Sequence, residues 1–262
     1  MDDYNKLKKS LRNTQYLVII VMGLVVFGFA LDFLAVQKTV SVIEGNAQAI
    51  SLKTQYLVQN LKGDAMETWY AWQPRDSIDI QIVGEDNYPK EKIDAIKKAI
   101  LSTETIEIDN SLVFKGDEGT YSKYWVGWKG AIDHYRELRD IEKPLEITFT
   151  DNEDSDIIIT LTNSKSGEGL SGLTSSLVND AEKTILRSYV TIYEADQLPN
   201  EHMEIIIRHE FGHVAGLAHS TAPEDLMYPV IQTPAPFISE CDMDALMHLY
   251  TGGKTSQVIC EN

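Results

Sequence analysis

Apolar residues fill positions 16–31 without a break, YLVIIVMGLVVFGFAL, and after Asp32 the run resumes as FLAV to Val36. A helix needs about 20 such residues to cross a bilayer. Lys6, Lys8, Lys9 and Arg12 precede the run, and little positive charge follows it. The positive-inside rule then predicts a cytoplasmic segment 1–15, a span 16–36, and everything after residue 37 outside the cell. A cleavable signal peptide is the competing reading, with Gly28 and Ala30 as a small-x-small pair. The length of the run favours an uncleaved signal-anchor.

Beyond the span, Val36, Val40, Ile43, Ala47, Ile50, Thr54, Leu57 and Leu61 recur at alternating spacings of four and three. This predicts a helical stalk over 37–64, broken by the KGD at 62–64. One version is a parallel coiled coil that makes the chain a homodimer. The other is a single amphipathic helix. Ala47 and Thr54 make a poor seam.

The pattern changes again after residue 65. SIDIQIV (77–83) alternates with period two and predicts a strand. YPKEKIDAIKKAILST (88–103) has helical period, with Ile93, Ile96 and Ile100 on one face. Residues 104–128 read as irregular, an aromatic-rich insertion. A helix is expected at 130–140, strands at 144–151 and 155–162, and an exposed glycine-rich strand within 165–176. A further strand follows at 184–194. Asn200 is the expected cap of a helix running to Gly216, and Ser239 of a last helix to 250. Strands interspersed with packed helices give an α+β domain over 65–262.

Composition narrows the partners. The net charge of −17 argues against nucleic acid or an anionic membrane surface as a partner. Two cysteines, Cys241 and Cys260, are too few for a disulfide framework. Outside the cell they can form one bridge; two free thiols is the equal alternative.

The chemistry lies in HEFGHVAGLAHS (209–220). His209 and His213 are four apart, so a helix puts them on one face, one turn apart. Gly216 can end that helix in the left-handed conformation, and the returning chain brings His219 to the same place. Three nitrogens on Zn2+ leave a fourth position for water, the pattern of a catalytic ion. Glu210 projects about 100° round the helix. It is poorly placed as a ligand and well placed as the general base for that water. The match specifies five positions in eleven, which makes it a strong signal. His202 reads as a first-turn surface residue, His134 as solvent-exposed, and His248 as packed or partly exposed.

The spacing His209-Glu210-x-x-His213-x-x-Gly216-x-x-His219 resembles the long zinc signature of the metzincin peptidases. Ser220 after the third histidine resembles the matrixin branch. EDLMYP (224–229) looks like its Met-turn, with Met227 beneath the metal. The resemblance implies a metzincin-like fold with a mixed, mostly parallel five-stranded sheet, an active-site helix and a C-terminal helix. It also implies that GLSGLT (169–174), with Gly169, Leu170, Ser171, Gly172 and Leu173, is an edge strand that pairs with peptide. Pro229, Val230 and Ile231 would line the pocket beside the scissile bond. The chain departs from the family in lacking a cysteine before 241 and a histidine between 135 and 201. A propeptide thiol and a second zinc site are therefore not expected. Calcium loops are not recognisable, although Asp154, Asp156, Asp180 and Glu182 could bind a cation. Tyr228 stands one residue too early to serve as a zinc ligand.

Two functions follow from this reading. One is a membrane-anchored zinc endopeptidase cutting extracellular or envelope proteins. The other is an inactive, zinc-stabilised binding or assembly module on a stalk. The retained Glu210 separates them, because a decayed site loses nothing structural by losing that carboxylate.

Overall fold

Alternation over Ser77–Val83 becomes the central strand of the domain. Ile78, Ile80 and Ile82 are buried while Ser77 and Asp79 face solvent. Each buried isoleucine is worth about 1.5–3 kcal/mol. The computed structural model describes residues 58–59 (backbone only), 70–139, 141, 143–253 and 258. The span expected at 16–36, most of the stalk, and Cys260 lie outside the described residues. Among the described residues no helix is long and apolar enough to cross a membrane.

In chain order the strands begin with β1 (Val58–Gln59), β2 (Ala71–Trp72) and β3 (Ser77–Val83). Helix α1 (Lys90–Leu101) follows, then β4 (Thr105–Asp109), β5 (Tyr121–Trp125) and α2 (Trp128–Leu138). Strands β6 (Glu146–Phe149), β7 (Ile157–Leu161), β8 (Gly172–Asn179) and β9 (Thr184–Ile192) come next. The chain continues through α3 (Asn200–Val214), β10 (His219–Ser220) and α4 (Glu240–His248). The main sheet runs β2-β9-β7-β3-β6, with β8 on the other side of β9. The pairs among β3, β6, β7 and β9 are parallel, and β8 is antiparallel to β9. The mixed, mainly parallel sheet is the expected one. It has six strands rather than five, because the two-residue β2 adds to β9.

Three local expectations are corrected. Residues 104–128 are not irregular: β4 and β5 form an antiparallel hairpin. Its tip is closed by Asp109, whose carboxylate accepts from the Ser111 and Gly119 amides at 3.0 and 2.8 Å. Trp125 then exchanges two backbone hydrogen bonds with Ile238, at 3.0 and 3.1 Å. The stalk helix does not extend through 58–59, which is a strand antiparallel to His219–Ser220. A helix would leave that backbone edge unpaired. Asn200 is not the cap of α3 but its first residue; Pro199 precedes it without a side-chain cap. By contrast Ser239 caps α4, as its sequence predicts, and Asp242 completes a capping box with it.

Helix α1 buries Ile93, Ile96, Ala99 and Ile100 against the sheet and α3. Its Lys92, also buried, points the other way chemically. The ammonium donates to the carbonyls of Ala195, Asp196 and Leu198, the latter two at 3.2 and 2.9 Å. The loop leading into α3 is thereby gathered on a fixed positive charge.

Candidate metal centre

Helix α3 is held by what its apolar face meets. Met203, Ile206, Ile207, Phe211 and Val214 are buried. Its last carbonyls are satisfied from outside the helix. Trp72 Nε1 donates to Val214 at 2.8 Å and the Tyr250 hydroxyl to Ala215 at 3.0 Å. Gly216 takes φ +101° and turns the chain back, as a left-handed residue past a helix end should. Leu217 N–H then returns to the Gly212 carbonyl at 2.9 Å. This reversal carries His219 beside the helix.

The three histidines converge. The Nε2 atoms of His209 and His219 are 3.3 Å apart, and those of His213 and His219 are 3.2 Å apart. Two nitrogens at about 2.05 Å from one tetrahedral ion would be about 3.3 Å apart. The opposite ring edges settle the protonation. His209 Nδ1 donates to the Leu226 carbonyl at 2.8 Å and His213 Nδ1 to the Leu217 carbonyl at 2.7 Å. A carbonyl cannot donate, so the Nδ1 atoms carry the protons and both Nε2 atoms present lone pairs. Burial pushes His209 far below the ordinary imidazole range, with the nearby His213 adding to it. The same two causes bring His219 down to about 3. The lone pairs of His209 and His213 thus face the His219 ring nitrogen, an arrangement that one cation can share. The donor set fits zinc, and His209, His213 and His219 are the residues that can hold it.

Glu210 is buried beside them. Burial raises its proton affinity, opposed by His213 and by a hydrogen bond from Thr174. The Thr174 hydroxyl lies 2.7 Å from Glu210 Oε2. Met227 is fully buried beneath α3. Its sulfur lies so near Gly212 that a Cβ there would meet it at 2.4 Å. Ser220 N–H donates to the Met227 carbonyl at 2.8 Å, tying the third histidine's strand to this turn. The turn itself rests on Asp225, which accepts from Met227 N–H at 2.9 Å. Asp225 in turn meets the buried carboxyl of Asp242 on α4.

A cleft of about 1050 Å³ runs past the three histidines and Glu210. Gly169, Leu170, Ser171, Gly172 and Leu173 border it on one side, Pro229, Val230 and Ile231 on the other. Residues 169–171 precede β8 rather than forming part of it.

Residues 131–251 match the model of the matrixin peptidase family. These residues are therefore similar to a matrixin domain. A 47-residue stretch is also 47% identical to matrix metalloproteinase-9 of Canis lupus familiaris, covering 18% of this chain and 7% of that relative. The chain therefore matches a small part of that protein's length. The family match supplies the general type, a zinc metallopeptidase. Strand β3 and helix α1 lie before the matched region, yet they share its sheet and core.

Other residues singled out in the sequence have these surroundings. His202 is exposed but borders the far end of the cleft. His134 is half-buried, its ring 5.3 Å from that of Trp125. His248 is exposed. Asp156 pairs with Arg75 at 2.6 Å and Asp154 with Arg187 at 3.5 Å. Asp180 accepts from Tyr70, and Glu182 from Gln73. All four carboxylates are thus engaged by protein donors. Cys241 is buried and is not a free thiol. The sequence reading missed the roles of Gly212, Asp225 and Asp242, and placed Thr174 on the peptide-pairing strand without its bond to Glu210. Gly212 stands inside the motif, but its reason is a methionine 15 residues later.

Proposed function

We propose that the chain is a zinc-dependent endopeptidase that cleaves extracellular or envelope proteins from a membrane anchor at 16–36. The observation that carries the chemistry is the convergence of the three histidine Nε2 atoms on one point, with Glu210 beside them at the same cleft. Zinc, when bound, supplies a Lewis acid that polarises a carbonyl and makes a water acidic. Glu210 is the group that takes a proton and returns it to the departing amine. Burial supports that role, because a carboxylate with raised proton affinity is a better base near neutral pH. An extended peptide can pair with the free edge of β8, which brings its backbone across the histidines. The long apolar run and the lysines before it support the anchor and an outward-facing domain.

The test uses the full-length chain with casein. Hydrolysis should disappear with chelator and return with zinc. Glu210→Gln should keep its zinc and lose activity by about 10²–10⁴-fold. Activity surviving that substitution would overturn the mechanism. Full zinc loading with no turnover on any peptide would favour a binding module instead.

A further inference from the structure

Strand β8 carries its side chains the wrong way round for a simple sheet edge. The residues facing α3 are Gly172, Thr174 and Ser176, while Leu173 and Leu177 face solvent at 43% and 55% exposure. A strand that only packed against a helix would turn its leucines inward. The inward face is small and polar because it meets Glu210.

The contacts are specific. Thr174 Oγ1 lies 2.7 Å from Glu210 Oε2 and 3.1 Å from the Glu210 carbonyl oxygen. A hydroxyl has one proton, and the shorter, charge-assisted contact holds it. Two residues earlier, a Cβ on Gly172 would lie 2.4 Å from Glu210 Oε1. One oxygen is thus bound by a hydroxyl, and the other lies in space that only glycine leaves free. Glu210 as a residue is 6% exposed, so water does little to orient it.

We infer that Thr174 is a positioning residue for Glu210, its hydroxyl and the bare backbone of Gly172 together forming a cradle that fixes the carboxylate's rotamer. The hydrogen bonds of the Thr174 hydroxyl go to Glu210. It acts through Glu210 alone, and it stands on the strand whose free edge receives substrate. The inference rests on the peptidase reading for its kinetic consequence, but not for the contact itself.

The experiment compares the full-length, zinc-loaded chain with Thr174→Val, Thr174→Ser and Gly172→Ala. Removing a hydrogen bond to a charged group should lower kcat about tenfold to a hundredfold in Thr174→Val. KM should stay within about twofold, as for an interaction acting on the chemical step. Zinc retention against a chromophoric chelator should be unchanged. Thr174→Ser should recover most of kcat, and Gly172→Ala should fall as Thr174→Val does. Thr174→Ala replaces the valine variant if that one does not fold. A second readout needs no turnover. Acetohydroxamate chelates zinc and offers a proton to a neighbouring carboxylate, so Thr174→Val should weaken its binding and Thr174→Ser should restore it. Unchanged kcat in Thr174→Val, or unchanged acetohydroxamate affinity, overturns the inference. Loss of zinc in that variant does so too. If the parent chain binds acetohydroxamate and cuts nothing, yet binding follows the hydroxyl, the inference stands and the peptidase reading falls.

Discussion

Met227 and Gly212 occupy each other's space: a Cβ at 212 would sit 2.4 Å from the methionine sulfur and 2.8 Å from its methyl carbon. Gly212 lies one residue before His213 on α3, and Met227 is fully buried, so the thioether has no free direction in which to swing. Helix propensity alone makes Gly→Ala stabilising by about 1 kcal/mol. Overpacking costs about 1–3 kcal/mol, and here it should win. Gly212→Ala is expected to lower the thermal midpoint and loosen zinc, because the turn that presses on α3 also supplies Leu226 to His209. A raised midpoint in the chelated protein would refute this.

Lys92 holds three carbonyls of the loop before α3. Lys92→Met keeps the length of the side chain and removes every donor. With charged hydrogen bonds worth about 1.5–3 kcal/mol each but not additive, the loss should be about 3 kcal/mol. Amide exchange should speed first at residues 195–203. Uniform acceleration across the whole domain would show that the loop is not the part secured.

Burial, and then the Asp225 carboxyl against it, raise the proton affinity of Asp242. Its folded value lies well above the ordinary carboxylate range, so the folded chain binds a proton that the unfolded chain releases. Stability from this group is present below the unfolded value of about 3.9 and is lost as pH rises through the folded one, by up to about 1.4 kcal/mol per unit. Asp242→Asn mimics the protonated form. Denaturation between pH 4 and 8, both proteins saturated with zinc, should show the variant gaining on its parent as pH rises. A constant difference would mean that Asp242 is ionised at the fold's working pH.

The histidines act in the opposite sense in chelated protein. His219 is lowered to about 3 and His209 well below the ordinary value. The unfolded chain therefore takes up protons that the folded chain refuses. Stability is full above the unfolded value of about 6.5 and falls as pH drops through that value towards 3. His219→Gln, measured without metal by urea unfolding, should flatten this slope by about 1.4 kcal/mol per unit in that window. A variant with the parent's slope would mean that His219 is not the group refusing the proton.

The three histidines and Glu210 were readable because their relationship is local. Helical period and one glycine turn place them within eleven residues. Ser239 was readable for the same reason, its partner Asp242 being three positions away. Thr174 was not, because its partner is 36 residues distant across a sheet edge. Worse, the alternation on β8 invites the wrong face, since Leu173 and Leu177 look like core. The β4–β5 hairpin was hidden for a related reason. Its strands offer few alternating apolar positions, and Trp125 finds its backbone partner at Ile238.

The ammonium of Lys92 gathers carbonyl oxygens in the manner of a bound metal ion, but it is joined covalently to the chain. It cannot be stripped, exchanged or diluted away. A loop gathered by calcium would slacken in the same chelator that empties the histidines, and the two losses would be confounded. Here the entrance to the zinc helix is indifferent to chelator. A loss of activity on chelation would then not come from this loop.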